Sequence, residues 1–226
     1  MKITRQTGLI VEGNSTRSVV LRLPGLLDEI GPIKGTTIRV GKRVSNFFHA
    51  GRAVNDYEDL QNCDLVLMRL PDESVARVVQ EICNADWRLT GTAFVLFESW
   101  LDSSILQPLA ERGAAVATIV EIPANRHNWF AIEGQYVAVK RAKRLFDKCQ
   151  ARTLELKPGT KYFYFAASTL ASKLPRALFA AANKALRSSG VNGKHLYVIV
   201  EEMAQTMFQD VSRGSRGGWN GPMLEC

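Results

Sequence analysis

The chain has 226 residues, 46% apolar and 23% charged, the balance of an ordinary globular protein, which argues against disorder. Its uncharged apolar runs fall far short of the roughly 20 residues that span a bilayer, so a transmembrane helix is excluded. The net charge of +7 lies mostly in the last third: residues 1–156 hold 20 Lys+Arg against 18 Asp+Glu, and residues 157–226 hold 9 against 4.

Taken in chain order, residues 7–13 form a short apolar run ending in glycine, read as a buried strand entering a tight turn. Residues 15–30 carry a helical stripe broken at Pro24-Gly25. Strands are expected at 36–40, which is β-branched, and at 64–70, stopped by Pro71. An amphipathic helix follows at 73–83, with Asp72 as its N-cap. A strand at 91–97, a helix at 103–112, strands at 114–120 and 134–139, and a basic helix at 140–150 come next. Strands alternating with helix-length segments imply a doubly wound, mostly parallel α/β sheet. After Lys157-Pro158-Gly159 the texture becomes Ala-, Leu- and Lys-rich: residues 160–189 read as one kinked helix or two abutting ones around Pro175, and 195–211 as another. The expected organisation is an α/β domain over 1–157 and a small all-helical domain over 158–226.

The four cysteines form no CxxC pair and the three histidines have no ligand spacing, so no metal site is expected and the thiols read as packing residues. The first residues lack the pattern of a signal peptide, and a cytoplasmic location is the expectation. The late basic residues are spaced singly without exposed aromatic platforms, so no nucleic-acid partner is expected. The helical segment is too small to hold a full core of its own, so its apolar faces are expected to pack on the first domain or on a second copy of the chain, and a homodimer through it is the expectation.

Gly13, Asn14, Ser15, Thr16, Arg17 and Ser18 occupy the turn after the first strand, where a dinucleotide fold carries GxGxxG so that backbone N–H groups and a helix terminus can approach a pyrophosphate. Only the first glycine is kept; Ser15 and Ser18 stand for the others, and an ordinary N-capped turn is the competing reading. Lys42 and Arg43 follow the expected second strand with no nearby acid, a pattern that suits the extra phosphate of NADP, although exposed basic pairs are also common in solvated loops. Ser99 lies after the fourth strand, at the carboxyl end of the sheet where a dinucleotide is expected to bind, without a GxSxG elbow, and Glu98 there is either a base or a partner of Arg69.

This order of elements, with Cys63-Asp-Leu-Val-Leu-Met-Arg-Leu-Pro-Asp72 and Phe94-Val-Leu-Phe-Glu-Ser99, resembles the Rossmann-like proteins that share the two-domain build of 6-phosphogluconate dehydrogenase. Lys161-Tyr-Phe-Tyr-Phe-Ala-Ala167, Ala171-Ser-Lys173 and Asn220-Gly-Pro222 are similar to a branch in which a helical domain of unknown function follows the Rossmann-like one, related to pyrroline-carboxylate, ketopantoate and prephenate enzymes. The resemblance implies a dinucleotide across Gly13 to Ser18, Lys42, Arg43 and the Leu70, Pro71, Asp72 loop, with a small-molecule substrate between the domains. It also implies proton transfer by Lys161, a lysine whose pKa desolvation would lower, with Tyr164 beside it. Phe165, Lys173 and Ile122 depart from the family's His, Asn and His, and the sequence ends soon after Gly-Pro where relatives continue. Two functions follow as expectations: an NADP-dependent oxidoreductase acting on a small anionic metabolite, or a dinucleotide-binding protein without catalysis.

Overall fold

The computed structural model describes residues 7–12, 23–122 and 128–213. Its core is one sheet of eight strands: Thr7–Val11 (β1), Ile30–Gly35 (β2), Arg52–Val54 (β3), Leu65–Arg69 (β4), Ala93–Phe97 (β5), Ala115–Ile122 (β6), Trp129–Gly134 (β7) and Arg152–Glu155 (β8). The spatial order is β3-β2-β1-β4-β5-β6-β7-β8. Strands β1 to β6 run parallel, with β1 between β2 and β4. β7 is antiparallel to β6, and β8 is parallel to β7. β1 and β5 are buried at every position, as strands covered on both faces must be.

Each face of the sheet has its own core. On one, Phe97, Phe130 and Phe146 pack ring to ring, with Phe146 on the helix Tyr136–Lys148; Val44 and Phe48 of Ile38–Phe48 (α1) join the same cluster. On the other, Val75, Val78, Val79 and Ile82 of Asp72–Asn84 (α2) pack with Ile10, Val66, Met68, Phe94 and Leu96. The 3-10 turn Ser103–Leu106 and the helix Gln107–Glu111 (α3) complete that layer through Leu106 and Leu109. The helix Tyr136–Lys148 is α4. Cys63 and Cys149 are free, buried thiols whose pKa burial pushes up to about 11, consistent with packing residues. Among the described residues, no helix is long and apolar enough to cross a membrane.

Four expected elements move. The second strand is Ile30–Gly35 and not 36–40, because Thr37 is an N-cap: its hydroxyl accepts the Val40 N–H at 3.3 Å and starts α1 at Ile38. Gly31 and Pro32 hid that strand, since proline seldom enters a central strand. The strand expected at 134–139 is Trp129–Gly134, with α4 beginning two residues later. Asp72 is the first residue of α2, whose N-cap is Pro71. The strands β3 and β8, three and four residues long, had no sequence signal. The helix expected over 15–30 falls partly outside the described residues; inside them, Pro24–Leu26 is a single 3-10 turn.

The chain divides into two compact units, Met1–Tyr162 and Phe163–Cys226. The helix Lys161–Ser168 (α5) crosses that division and continues through a π-helical turn, Thr169–Lys173, into Leu174–Ser188 (α6). The wide turn has a cause: Pro175 has no N–H to give and its ring crowds the preceding turn, so Leu174 N–H bonds five residues back to Thr169. Lys194–Ser212 (α7) packs back on α6.

Candidate functional site

In an open α/β sheet the ligand crevice lies at the carboxyl ends of the strands where the winding direction reverses. Here that point lies between β1 and β4, at Val11-Glu12 and Arg69-Leu70, whose backbones are joined by Glu12 N–H to the Arg69 carbonyl at 3.2 Å. Gly13, Asn14, Ser15, Thr16, Arg17 and Ser18 follow directly and lie outside the described residues.

The Leu70, Pro71, Asp72 and Ser99 expectations come together at this edge. Ser99 donates its hydroxyl to Asp72 Oδ1 at 2.6 Å and accepts the Leu101 N–H at 3.0 Å, while the Trp100 N–H reaches Asp72 Oδ2 at 3.3 Å. Asp72 therefore ties the loop after β5 to the start of α2. Ser99 and Leu70 are buried, Ser99 completely. Its side chain shapes the loop and presents no surface. Beside it Arg69 and Glu98 form an ion pair at 3.0 Å, so Glu98 is the partner of Arg69 that the sequence allowed. Glu98 takes a positive φ of 55°, uncommon for a side-chain-bearing residue. Arg69 Nε is buried with no hydrogen-bond partner among the described residues.

Lys42 and Arg43 are not in a loop at a strand end; they are exposed on the first turns of α1. Arg39, absent from the sequence reading, precedes Lys42 by three residues and Arg43 by four, so the three share one helix face. The end of β2 itself is Gly35-Thr36-Thr37, without an acid. Gly35 must be glycine: a Cβ there would lie 2.5 Å from Gly41 N and 2.7 Å from Thr37 O, so α1 sits directly against the strand end.

Lys161 is 2% exposed and not a solvated helix charge. Its ammonium donates to the Leu101 carbonyl at 2.6 Å and to Thr118 Oγ1 at 2.9 Å. Thr118 donates its hydroxyl to Glu133 Oε1 at 2.9 Å. The Glu133 carboxylate also accepts the Ser103 N–H at 2.6 Å, the Ser103 hydroxyl at 3.2 Å and the Gly159 N–H at 3.4 Å. Burial draws the Lys161 pKa down to about 8 against the upward pull of Glu133, Asp72 and Asp102. This buried knot joins the loop after β5, strands β6 and β7, the 156–160 connection and the root of α5. Its members Thr118 and Glu133 had one sequence signal, a carboxylate inside the apolar run of β7. Tyr164 belongs to the second unit, half-buried with its ring 5.4 Å from that of Phe165.

A reversing, mostly parallel sheet flanked by helices on both faces defines a Rossmann-like fold. Residues 128–223 match the family model of a domain of unknown function, DUF2520, a match that takes in β7, α4 and β8 as well as the helical unit. No curated protein matches the chain significantly. Among solved structures, a protein from Thermotoga maritima is 18% identical, with 96% of this chain and 83% of that one covered at a TM-score of 0.63. An imine reductase from Aspergillus terreus in complex with NADPH4 is 12% identical, with coverage of 94% and 76% and a TM-score of 0.74. A 1-pyrroline-5-carboxylate reductase from Streptococcus pyogenes is 14% identical, with coverage of 97% and 83% and a TM-score of 0.59. At these identities the likeness is one of fold.

Proposed function

We propose that the chain is an NADP-binding oxidoreductase of the cytoplasm, from the branch of the 6-phosphogluconate dehydrogenase-like proteins whose helical domain is of unknown function. The observation that carries it is the edge after β2, where Arg39, Lys42 and Arg43 share a face of α1 and no carboxylate stands at the strand end. An acid there would hold a ribose diol and repel a 2′-phosphate; three cations on a helix packed against the strand end do the reverse. The orphaned Arg69 Nε at the reversal point also fits an anionic ligand. Gly13 to Ser18 would face the pyrophosphate, and the Leu70, Pro71, Asp72 loop would bound the crevice. When bound, the reduced nicotinamide supplies a hydride. The names of the similar structures make small imines and their anionic relatives the first substrates to try.

Lys161 enters this reading as a positioning residue, because its hydrogen bonds to Leu101 and Thr118 hold it within the first unit. That burial also favours the second reading, a dinucleotide-binding protein without turnover. Calorimetric titration with NADP(H) and NAD(H) tests binding: NADP(H) should bind at least tenfold more tightly, and no heat with either dinucleotide would sink both readings. Oxidation of NADPH in the presence of small imines and keto acids separates the enzyme from the binder.

A further inference from the structure

A cavity of about 160 Å³ opens at the other end of the sheet, between the amino ends of β1 and β4 and one face of α4. A strand rises about 3.3 Å per residue, so Thr7, the first residue of β1, lies about 16 Å from Glu12 at the crevice. The sheet side contributes Thr7, Leu65 and two acids, Glu29 before β2 and Asp64 before β4. α4 contributes Arg141, Arg144 and Lys148, at spacings of three and four along one helix face, with Leu145 among them.

Two of these groups lack the partners their neighbours have. Thr7 is 5% exposed, yet its hydroxyl has no hydrogen-bond partner among the described residues, whereas buried polar groups are nearly always paired. Arg144 is exposed and makes no ion pair among the described residues. Around them the other charges are fixed. Lys148 reaches Glu29 at 2.7 Å, and Arg141 Nη1 donates to the Asp64 and Gly91 carbonyls at 2.6 Å each.

We propose that this cavity binds a small zwitterion, an aliphatic α-amino acid. Its lining carries both signs of charge, so a plain anion would meet the two acids unfavourably and a plain cation the three bases. A zwitterion satisfies both: its carboxylate accepts from Arg144 and the Thr7 hydroxyl, and its ammonium donates to the Asp64 and Glu29 carboxylates. Leu65 and Leu145 then meet the aliphatic side chain. The volume equals that of about five water molecules. That suits alanine or valine and falls below the roughly 300 Å³ at which sites for larger ligands begin.

Calorimetric titration of the full chain with L-valine, isovalerate and isobutylamine tests the charge pattern, because the three share a branched carbon skeleton and only the first carries both charges. L-valine should bind at least tenfold more tightly than either, the worth of one hydrogen-bonded charge, and equally well in saturating NADPH. Arg144→Gln should weaken L-valine at least tenfold with its circular dichroism unchanged, and Thr7→Val, which exchanges the hydroxyl for a methyl, should weaken it about threefold or more. No heat with L-valine or L-alanine, isovalerate binding as tightly as L-valine, or an affinity untouched by both variants would each overturn the proposal. Loss of L-valine binding in saturating NADPH would place the ligand in the crevice and overturn it as well.

Discussion

Replacing Lys161 with methionine keeps most of the buried stem and removes the ammonium, and its effect on stability should depend on pH in an unusual direction. The pKa of Lys161 falls from 10.5 to about 8 on folding. Between those values the unfolded chain binds the proton that the native protein has released, so raising the pH stabilises the native state. A shift of this size is worth about 3 kcal/mol, absent at pH 7, where both states are charged and the burial cost is carried in full, and regained by pH 10.5. Cys63 and Cys149, raised to about 11, and Tyr57, raised further by burial and its bond to Glu81, act oppositely above pH 9. All three are present in both proteins, so the difference between wild type and Lys161→Met isolates the lysine. Urea unfolding of both at half-unit steps from pH 7 to pH 10 should show the wild type gaining on the variant by about 2.5 kcal/mol, the larger part of the total shift. Parallel stability curves would refute the reasoning, because they would mean that Lys161 keeps an ordinary pKa inside the knot with Thr118 and Glu133.

Arg39→Ala should weaken NADP binding by about tenfold to a hundredfold and leave NAD binding unchanged, as read by calorimetry; it removes one charge-assisted phosphate contact. Asp72→Ala deletes the acceptor of Ser99 and of the Trp100 N–H and should cost about 1–3 kcal/mol in chemical denaturation. Phe146→Ala opens a void beside Phe97 and Phe130, whose ring centroids lie 6.0 and 4.9 Å away, and should cost about 3–5 kcal/mol by the same measurement. Gly35→Ala drives a methyl into the backbone of Thr37 and Gly41 and should cost about 2 kcal/mol, with NADP affinity falling as α1 is displaced.

The alternation of apolar runs and amphipathic segments was enough to read the doubly wound sheet, because β1, β4 and β5 are buried on both faces and their composition says so. Ile30–Gly35 was not legible. Its glycines and proline oppose a strand locally, and only pairing with β1 and β3 on both sides overrides them. Thr36 to Val40 misled for the converse reason: β-branched residues favour a strand, but a hydroxyl that caps a helix outweighs that preference. In the site, the basic character after β2 was visible and its geometry was not. Helix α1 turns a pair in sequence into a three-residue face that begins at Arg39. Lys161 was visible as a lysine suited to desolvation, while Thr118 and Glu133, some 43 and 28 positions away in the chain, become its neighbours only through the pairing of β6 with β7.

The two margins of the sheet decide how this chain can associate. β3 offers three residues and β8 four, with Arg52 on one side and Arg152 and Glu155 on the other; Lys143 reaches Glu155 at 3.5 Å. Margins this short and charged give an incoming strand few backbone groups to pair with and charge it must desolvate. Growth by strand addition, the route to fibrous aggregates, is therefore blocked at both ends of the first unit.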